Sequence, residues 1–332
     1  MKTLSKFIEM INMDMQNSEG EFAGELRYNE PMSAHTTFKV GGKADVWVRP
    51  AKGVFPAYAA KLLEAAGGEG IPVFILGGGA NVVVSDLGIR GIVLDTGAWT
   101  GSPTLLALER EADGKPPVSV RVLSGTPVDS LVDQLAAEGL SGLQFLAGMP
   151  GSVGGAIWMN ARCYEHSVSD VLVETEILDE DCRKQVIPFR PEDFSYKRSP
   201  FQGRKALILS GRFKVELGEP EKIRAEMAAY RRDREDKGHY RYPSAGSAFK
   251  NNRDFGDPTG RIIDQLGLRG FSVGGAQVAP WHGNIIINSG AATAADIKLL
   301  TAEIAARVKE ARGFELESEI LFVGEQEAFS AP

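Results

Sequence analysis

Two glycine clusters carry the backbone groups best placed to do chemistry in this chain. The first lies in residues 72–86, PVFILGGGANVVVSD, where Gly77, Gly78 and Gly79 separate two apolar runs. Consecutive glycines leave bare backbone N–H groups that can close around an anion as a nest. Val82, Val83 and Val84 follow at once, and three β-branched residues favour a strand. A dinucleotide-binding Rossmann fingerprint needs a helix there, with its N-terminus on the pyrophosphate. The spacing therefore predicts strand, glycine turn and strand, with a ligand-free glycine hairpin as the competing reading. The second cluster, GMPGSVGGAIWMNA, sets Gly148, Gly151, Gly154 and Gly155 ahead of an apolar segment. Tight packing of a helix on a strand is its alternative use.

The elements that must hold these loops follow from periodicity. Residues 3–16 have the pattern of a short amphipathic helix, and a polar segment follows. Thr36 to Arg49 reads as strand, Gly41-Gly42 turn and returning strand. Residues 56–66 have helical spacing, stopped by Gly67-Gly68. Strands are expected at GIVLDT and VSVRVLSG with a loop over 109–117, then a helix over 127–139 opening on proline. DVLVETEILD, QVIPFR and KALILSGRFKVEL read as further strands. Residues 219–237 read as a helix whose interleaved acids and bases form a solvated face. A helix over 292–312 and a closing strand, FELESEILFVG, complete the chain.

The composition bounds the function. With 332 residues, 43% of them hydrophobic, the chain can bury a sizeable core in two or three domains. A net charge of −7 argues against a general nucleic-acid surface. The 38 glycines exceed the usual share of roughly 7%. Cys163 and Cys182 make neither a disulfide framework nor a zinc-like spacing, so a reduced compartment and no metal are expected. Glu9 and Asp14 interrupt the N-terminal apolar pattern, and no run nears the roughly 20 apolar residues of a membrane span. A soluble, cytoplasmic protein is expected.

Four stretches in order, TTFKVGGKAD, PVFILGGGANVVVSD, GMPGSVGGAIWMNA and PSAGSAFKNN, resemble the UDP-N-acetylenolpyruvoylglucosamine reductases. GGAQVAPWHGNIIIN and LESEILFVG extend the likeness, which spans about residues 30–325. The resemblance implies an α+β, vanillyl-alcohol-oxidase-like (PCMH-type) FAD-binding fold with an additional α+β substrate-binding domain. Residues 1–19 would form a helical extension, 20–90 and 91–213 the two FAD-binding subdomains, and 214–312 the substrate domain. The terminal segment 313–325 would return to the second subdomain. The short segment between Tyr196 and Ser247 resembles the family's compact type.

By the same resemblance the reaction is reduction of the enolpyruvyl group of UDP-N-acetylglucosamine enolpyruvate by NADPH through FAD, giving UDP-N-acetylmuramate for peptidoglycan. Gly77, Gly78, Gly79, Ala80 and Asn81, with Pro150, Gly151, Ser152, Gly154 and Gly155, would surround FAD. No histidine lies in the glycine loops, so the flavin would be held noncovalently. Ser247 matches the family's proton donor, although Ser244 is an equally good turn or cap hydroxyl on residue type alone. Glu319 matches a second catalytic position, polarising the developing enolate carboxylate; as a hydrogen-bond donor it would need burial to stay protonated. Tyr196, Lys250 and Asn251 match positions near the substrate's nucleotide and phosphates.

The chain departs from the family at DFSYKRSPF, where the usual Tyr-Arg is Tyr196-Lys197 with Arg198 next. Lysine brings charge without the planar two-pronged contact of a guanidinium. In an extended segment the two would point to opposite faces, and the alignment favours Lys197. Arg162 and Cys163 replace small residues beside the flavin wall. His282, His35 and His166 read as structural. Competing readings are another FAD oxidoreductase acting on a sugar or hydroxy acid, and a catalytically silent UDP-sugar-binding regulator.

Overall fold

The computed structural model describes residues 2–13, 22–107 and 118–324. Among the described residues three sheet-centred units follow one another along the chain. In the first, strands run in the order Gly24–Pro31, Lys43–Pro50, Ile89–Asp95 and Val73–Leu76. The first pair is antiparallel and the other pairings are parallel, which requires a crossover. Helix α2 (Phe55–Glu69) supplies it, burying Phe55, Tyr58, Ala59, Leu62 and Ala66 along one helical stripe. Helix α1 (Lys2–Met13) adds Phe7, Ile8 and Ile11 to the same core.

The second unit is antiparallel, with strands in the order Lys184–Pro188, Leu172–Leu178, Leu207–Leu217, Val118–Leu123 and Thr104–Ala107. Helices α3 (Val128–Ala137), α4 (Val153–Trp158) and α5 (Pro220–Asp236) pack apolar side chains into its core. The third unit orders Ser244–Ser247, Ile285–Asn288, Ala276–Val278 and Ser272–Val273, with helices α6 (Thr259–Gln265) and α7 (Ala294–Arg312). Its core takes in Phe38, Val40 and Val83 of the first unit.

Several expectations are corrected. Residues 36–42 are not a strand: Lys39 has φ 59 and Gly41 φ 122, so the backbone wraps instead, and Thr37 N–H donates to Gly79 O at 3.1 Å. The partner of Lys43–Pro50 is Gly24–Pro31, an edge strand so largely exposed that it shows no apolar alternation to read. Helix α2 runs through Gly67-Gly68 and stops at Gly70, whose φ of 64 makes the left-handed cap. The expected boundary at residue 90 falls inside the strand Ile89–Asp95, between Lys43–Pro50 and Val73–Leu76. The loop expected over 109–117 and residues 14–16 of the N-terminal helix lie outside the described residues. Arg234 on α5 is buried, donating to Ala147 O at 3.0 Å, so that helix is not solvated all round.

The terminal strand, Leu321–Val323, pairs in parallel with Val82–Val84 of the first unit and not with the second sheet. Among the described residues Val82–Val84 has no other strand partner, and an unpaired edge has to be covered. Strand 73–76 and strand 82–84 therefore sit in different sheets, which removes the hairpin reading of the glycine turn. Just after this point Asp86 accepts hydrogen bonds from Ala294 N–H at 2.8 Å and Ala295 N–H at 2.9 Å, capping α7 from another unit. Asp86→Ala is expected to cost about 1 kcal/mol, read as a lower urea midpoint with unchanged slope.

Candidate active site

The two glycine clusters meet. A Cβ on Gly78 would stand 2.6 Å from Gly151 Cα, and one on Gly77 would stand 2.5 Å from Ser152 Oγ. Gly79 has φ +62, and a Cβ there would lie 2.0 Å from His35 O. Only glycine permits that approach. In the facing loops the N–H groups of Gly78, Gly79, Ala80, Asn81, Gly151 and Ser152 have no acceptor among the described residues. A run of amides without protein acceptors is the kind of backbone that can close around an anion such as a pyrophosphate. Beside it, the buried hydroxyls of Ser124 and Thr126 also lack partners. Sequence reading missed both, although they follow directly on the strand Val118–Leu123.

The second cluster divides its glycines between tasks. A Cβ on Gly154 would meet Ser124 Cβ at 2.8 Å, so Gly154 serves the packing of α4 on its sheet. Gly151, at φ +113, serves the approach to the first loop. Gly155 is exposed, with only Ser152 Oγ near a Cβ at 3.5 Å, and Pro150 is exposed at the loop's edge. Ser152 caps α4, accepting from Gly155 N–H at 3.4 Å.

Asn81 joins this loop to the end of the chain. Its amide donates to Glu319 O at 2.7 Å, and its own carbonyl accepts from Leu321 N–H at 3.0 Å. Glu319 N–H in turn donates to Ala248 O at 2.8 Å, and Lys250 N–H to Glu317 O at 2.9 Å. The segment 317–319 is thus bound to 248–250, next to Ser247, the last residue of its strand. Ser247 is half-buried, and its hydroxyl has no partner among the described residues. Ser244, three residues earlier, pairs with Ile287 away from this junction.

Tyr196-Lys197 is a turn, not an extended segment. Ser195 and Arg198 exchange backbone hydrogen bonds of 3.2 and 3.0 Å, and Lys197 takes φ 57. That conformation costs a non-glycine residue roughly 1–3 kcal/mol and persists only where neighbours fix it. It sends the two cations apart. Lys197 Nζ lies 2.5 Å from Glu319 Oε1, with each side chain 12% exposed. Arg198 is 66% exposed and lies 3.6 Å from Glu317. Lys250 also pairs with Glu317, at 2.6 Å; that hydrogen bond, then the charges of Lys250 and Arg198, hold Glu317 below the ordinary carboxylate range. Tyr196 Oη accepts from Asn251 N–H at 3.4 Å. Asn251 Oδ1 accepts from Thr259 N–H at 2.9 Å.

The remaining flagged residues serve structure. Cys163 donates to Phe145 O at 2.9 Å, and burial pushes its thiol up. Arg162 binds Glu165 and Ser167. His35 pairs with Glu30 at 2.8 Å and stacks on Trp47. His166 packs on the Phe145 ring, and His282 Nδ1 accepts from Asn284 N–H. Near it, burial first and then the charges of Arg234, His282 and Lys237 lower His239 to about 4.

Comparisons with known proteins reach across most of the chain. A family model described as an FAD binding domain matches residues 56–184. A second, described as the C-terminal domain of UDP-N-acetylenolpyruvoylglucosamine reductase, matches residues 238–323. The reductase of that name from Treponema denticola is 38% identical, over 91% of this chain and 94% of its own. The one from Borreliella burgdorferi is 35% identical, over 97% and 99%. The solved UDP-N-acetylenolpyruvylglucosamine reductase of Thermus caldophilus superposes with a TM-score of 0.70 at 31% identity, covering 90% of this chain and 98% of that one.

Two outcomes are expected. Gly155→Ala should fold with stability within about 0.5 kcal/mol of the parent, whereas Gly79→Ala should lose roughly 1–3 kcal/mol; both should bind FAD more weakly in equilibrium titration. Because His239 is harder to protonate folded than unfolded, stability should rise with pH between about 4 and 6.5 and fall as the pH drops through that window. His239→Gln should flatten that slope in urea midpoints taken at pH 5 and 7.

Proposed function

The chain belongs to the UDP-N-acetylenolpyruvoylglucosamine reductase family, and we propose that it reduces UDP-N-acetylglucosamine enolpyruvate to UDP-N-acetylmuramate at the junction of its three units, with NADPH as the hydride source. It is an FAD-dependent oxidoreductase of peptidoglycan precursor synthesis, on the vanillyl-alcohol-oxidase-like fold. The observation that carries the site assignment is the meeting of the two amide-lined glycine loops with the Lys197–Glu319 pair, through Asn81.

Bound FAD supplies the hydride chemistry, between NADPH and the enolpyruvyl double bond. The unmatched amides of Gly78, Gly79, Ala80, Asn81, Gly151 and Ser152 would hold its pyrophosphate, without a covalent link. Gly77, Pro150, Gly154 and Gly155 shape the walls. FAD would lie between the first two sheet-centred units, with the third unit covering the substrate. Hydride arriving at the terminal carbon of the substrate drives charge toward its carboxylate. Lys197 stabilises that charge as a compact ammonium, where a guanidinium would make a planar fork. Glu319 orients the ammonium. Ser247, free to donate, gives a proton to the neighbouring carbon, which is basic enough to take it from a hydroxyl. Tyr196, Lys250 and the backbone of Asn251 form the rim that meets the UDP diphosphate.

Among the described residues no helix is long and apolar enough to cross a membrane. A nucleotide-linked substrate and the NADPH pool place the reaction in the cytoplasm.

In stopped-flow experiments Ser247→Ala should keep flavin reduction by NADPH within about twofold and slow reoxidation by substrate roughly 10²-fold or more; equal loss of both would remove Ser247 from the proton step. Lys197→Ala should share that signature and Arg198→Ala should not. Loss confined to Arg198→Ala would transfer the role.

A further inference from the structure

The Lys197 turn is held by side chains that the reaction itself does not call on. Gln202 Nε2 donates to Lys197 O at 3.1 Å and to Trp158 O at 3.0 Å. Ser199 Oγ donates to Trp158 O at 2.7 Å, and Asn160 Nδ2 to Ser195 O at 2.9 Å. Trp158 is the last residue of α4, the helix that starts at the second glycine loop, and Met159 and Asn160 follow it directly. The turn is therefore fixed to the flavin-loop scaffold, with Gln202 bonding directly to the residue in the strained conformation.

The same amide reaches one step further. Gln202 Nε2 lies 3.9 Å from Met159 Sδ, and on the other side Asn81 Nδ2 lies 3.7 Å from that sulfur. Asn81 Nδ2 also donates to Glu319 O. With the Lys197–Glu319 ion pair the contacts close into a ring: Lys197, Gln202, Met159, Asn81, Glu319. The sulfur is a weak acceptor, so the ring depends on the two amides. Their N–H groups are spent on protein acceptors at its corners. One corner is the cation, the other the acid.

We propose that Gln202 and Asn81 are the positioning residues of the Lys197–Glu319 pair, Gln202 fixing the turn that presents the ammonium and Asn81 the segment that presents the carboxylate. The assignment rests on the catalytic roles given to Lys197 and Glu319 above. It implies that, per bound flavin, the substrate-reducing half of the cycle is more sensitive to these two side chains than the NADPH-dependent half.

The test uses FAD-loaded Gln202→Leu, Asn81→Ala, Lys197→Ala and the Gln202→Leu/Lys197→Ala double variant. FAD content, bleaching by NADPH and reoxidation by UDP-N-acetylglucosamine enolpyruvate are measured, with substrate affinity by calorimetry. Gln202→Leu should keep FAD content and bleaching within about twofold while reoxidation slows about 10- to 100-fold, and it should add less than about twofold once Lys197 is gone, since coupled residues are not additive. Asn81→Ala should show the same imbalance between half-reactions, normalised to its bound FAD. Substrate affinity should fall in Gln202→Leu and not fall further in the double variant. Equal slowing of both half-reactions, or a full further loss in the double variant, would overturn the proposal. Gln202 lies outside the glycine loops, so its variant decides the matter even where Asn81→Ala sheds FAD. Unimpaired reoxidation in Lys197→Ala would instead overturn the reading on which the proposal rests.

Discussion

The structure depends on a close approach of two backbones that only glycine permits. Gly78 against Gly151, and Gly79 against the His35 carbonyl, leave no room for side chains. That approach fixes the first unit against the second. It also leaves six amides of the two loops without acceptors among the described residues. Under the proposed function the FAD pyrophosphate is the group that meets them. Folding and cofactor binding are therefore parts of one constraint: the contact that joins the units is also the contact that forms the site.

From that seam the groups proposed to react are placed by chain geometry. The glycine turn runs into Val82–Val84, and the only other strand able to cover it within the described residues is Leu321–Val323. Pairing these strands in parallel register brings Glu319 to Asn81. The segment 317–319 is held in turn by 248–250, which sets Ser247 beside it. Lys197 arrives from the second unit on a turn anchored to the end of α4. Acid, hydroxyl and ammonium thus come from segments far apart in sequence, each tied to a glycine loop. Lys197 meets Glu319 in a single close ion pair, 2.5 Å long, which suits a point charge better than a planar fork.

Much of this was legible in the sequence. Val82 to Val84 announced a strand in place of a Rossmann helix, and the strand is there. The helical stripe of α2 and the proline-led α3 were readable from spacing. The strand Gly24–Pro31 was not, because an exposed edge strand carries no apolar alternation. Nor was the pairing of 321–323 with 82–84, because short β-branched strands do not encode their partners locally. The opposite orientations of Lys197 and Arg198 were expected from an extended segment, yet they arise from a left-handed turn. Ser124 and Thr126 escaped notice since serine and threonine are commonplace after strands; only their buried, unmatched hydroxyls single them out. Arg234 looked solvated because its neighbours on α5 are charged, while its own position turns inward to Ala147.

The most direct test is the visible spectrum of the purified protein kept free of oxygen. Addition of one equivalent of NADPH should bleach an oxidised flavin band, and UDP-N-acetylglucosamine enolpyruvate added next should restore it. A protein that binds no FAD, or a bleached flavin that this substrate leaves reduced, would contradict the account.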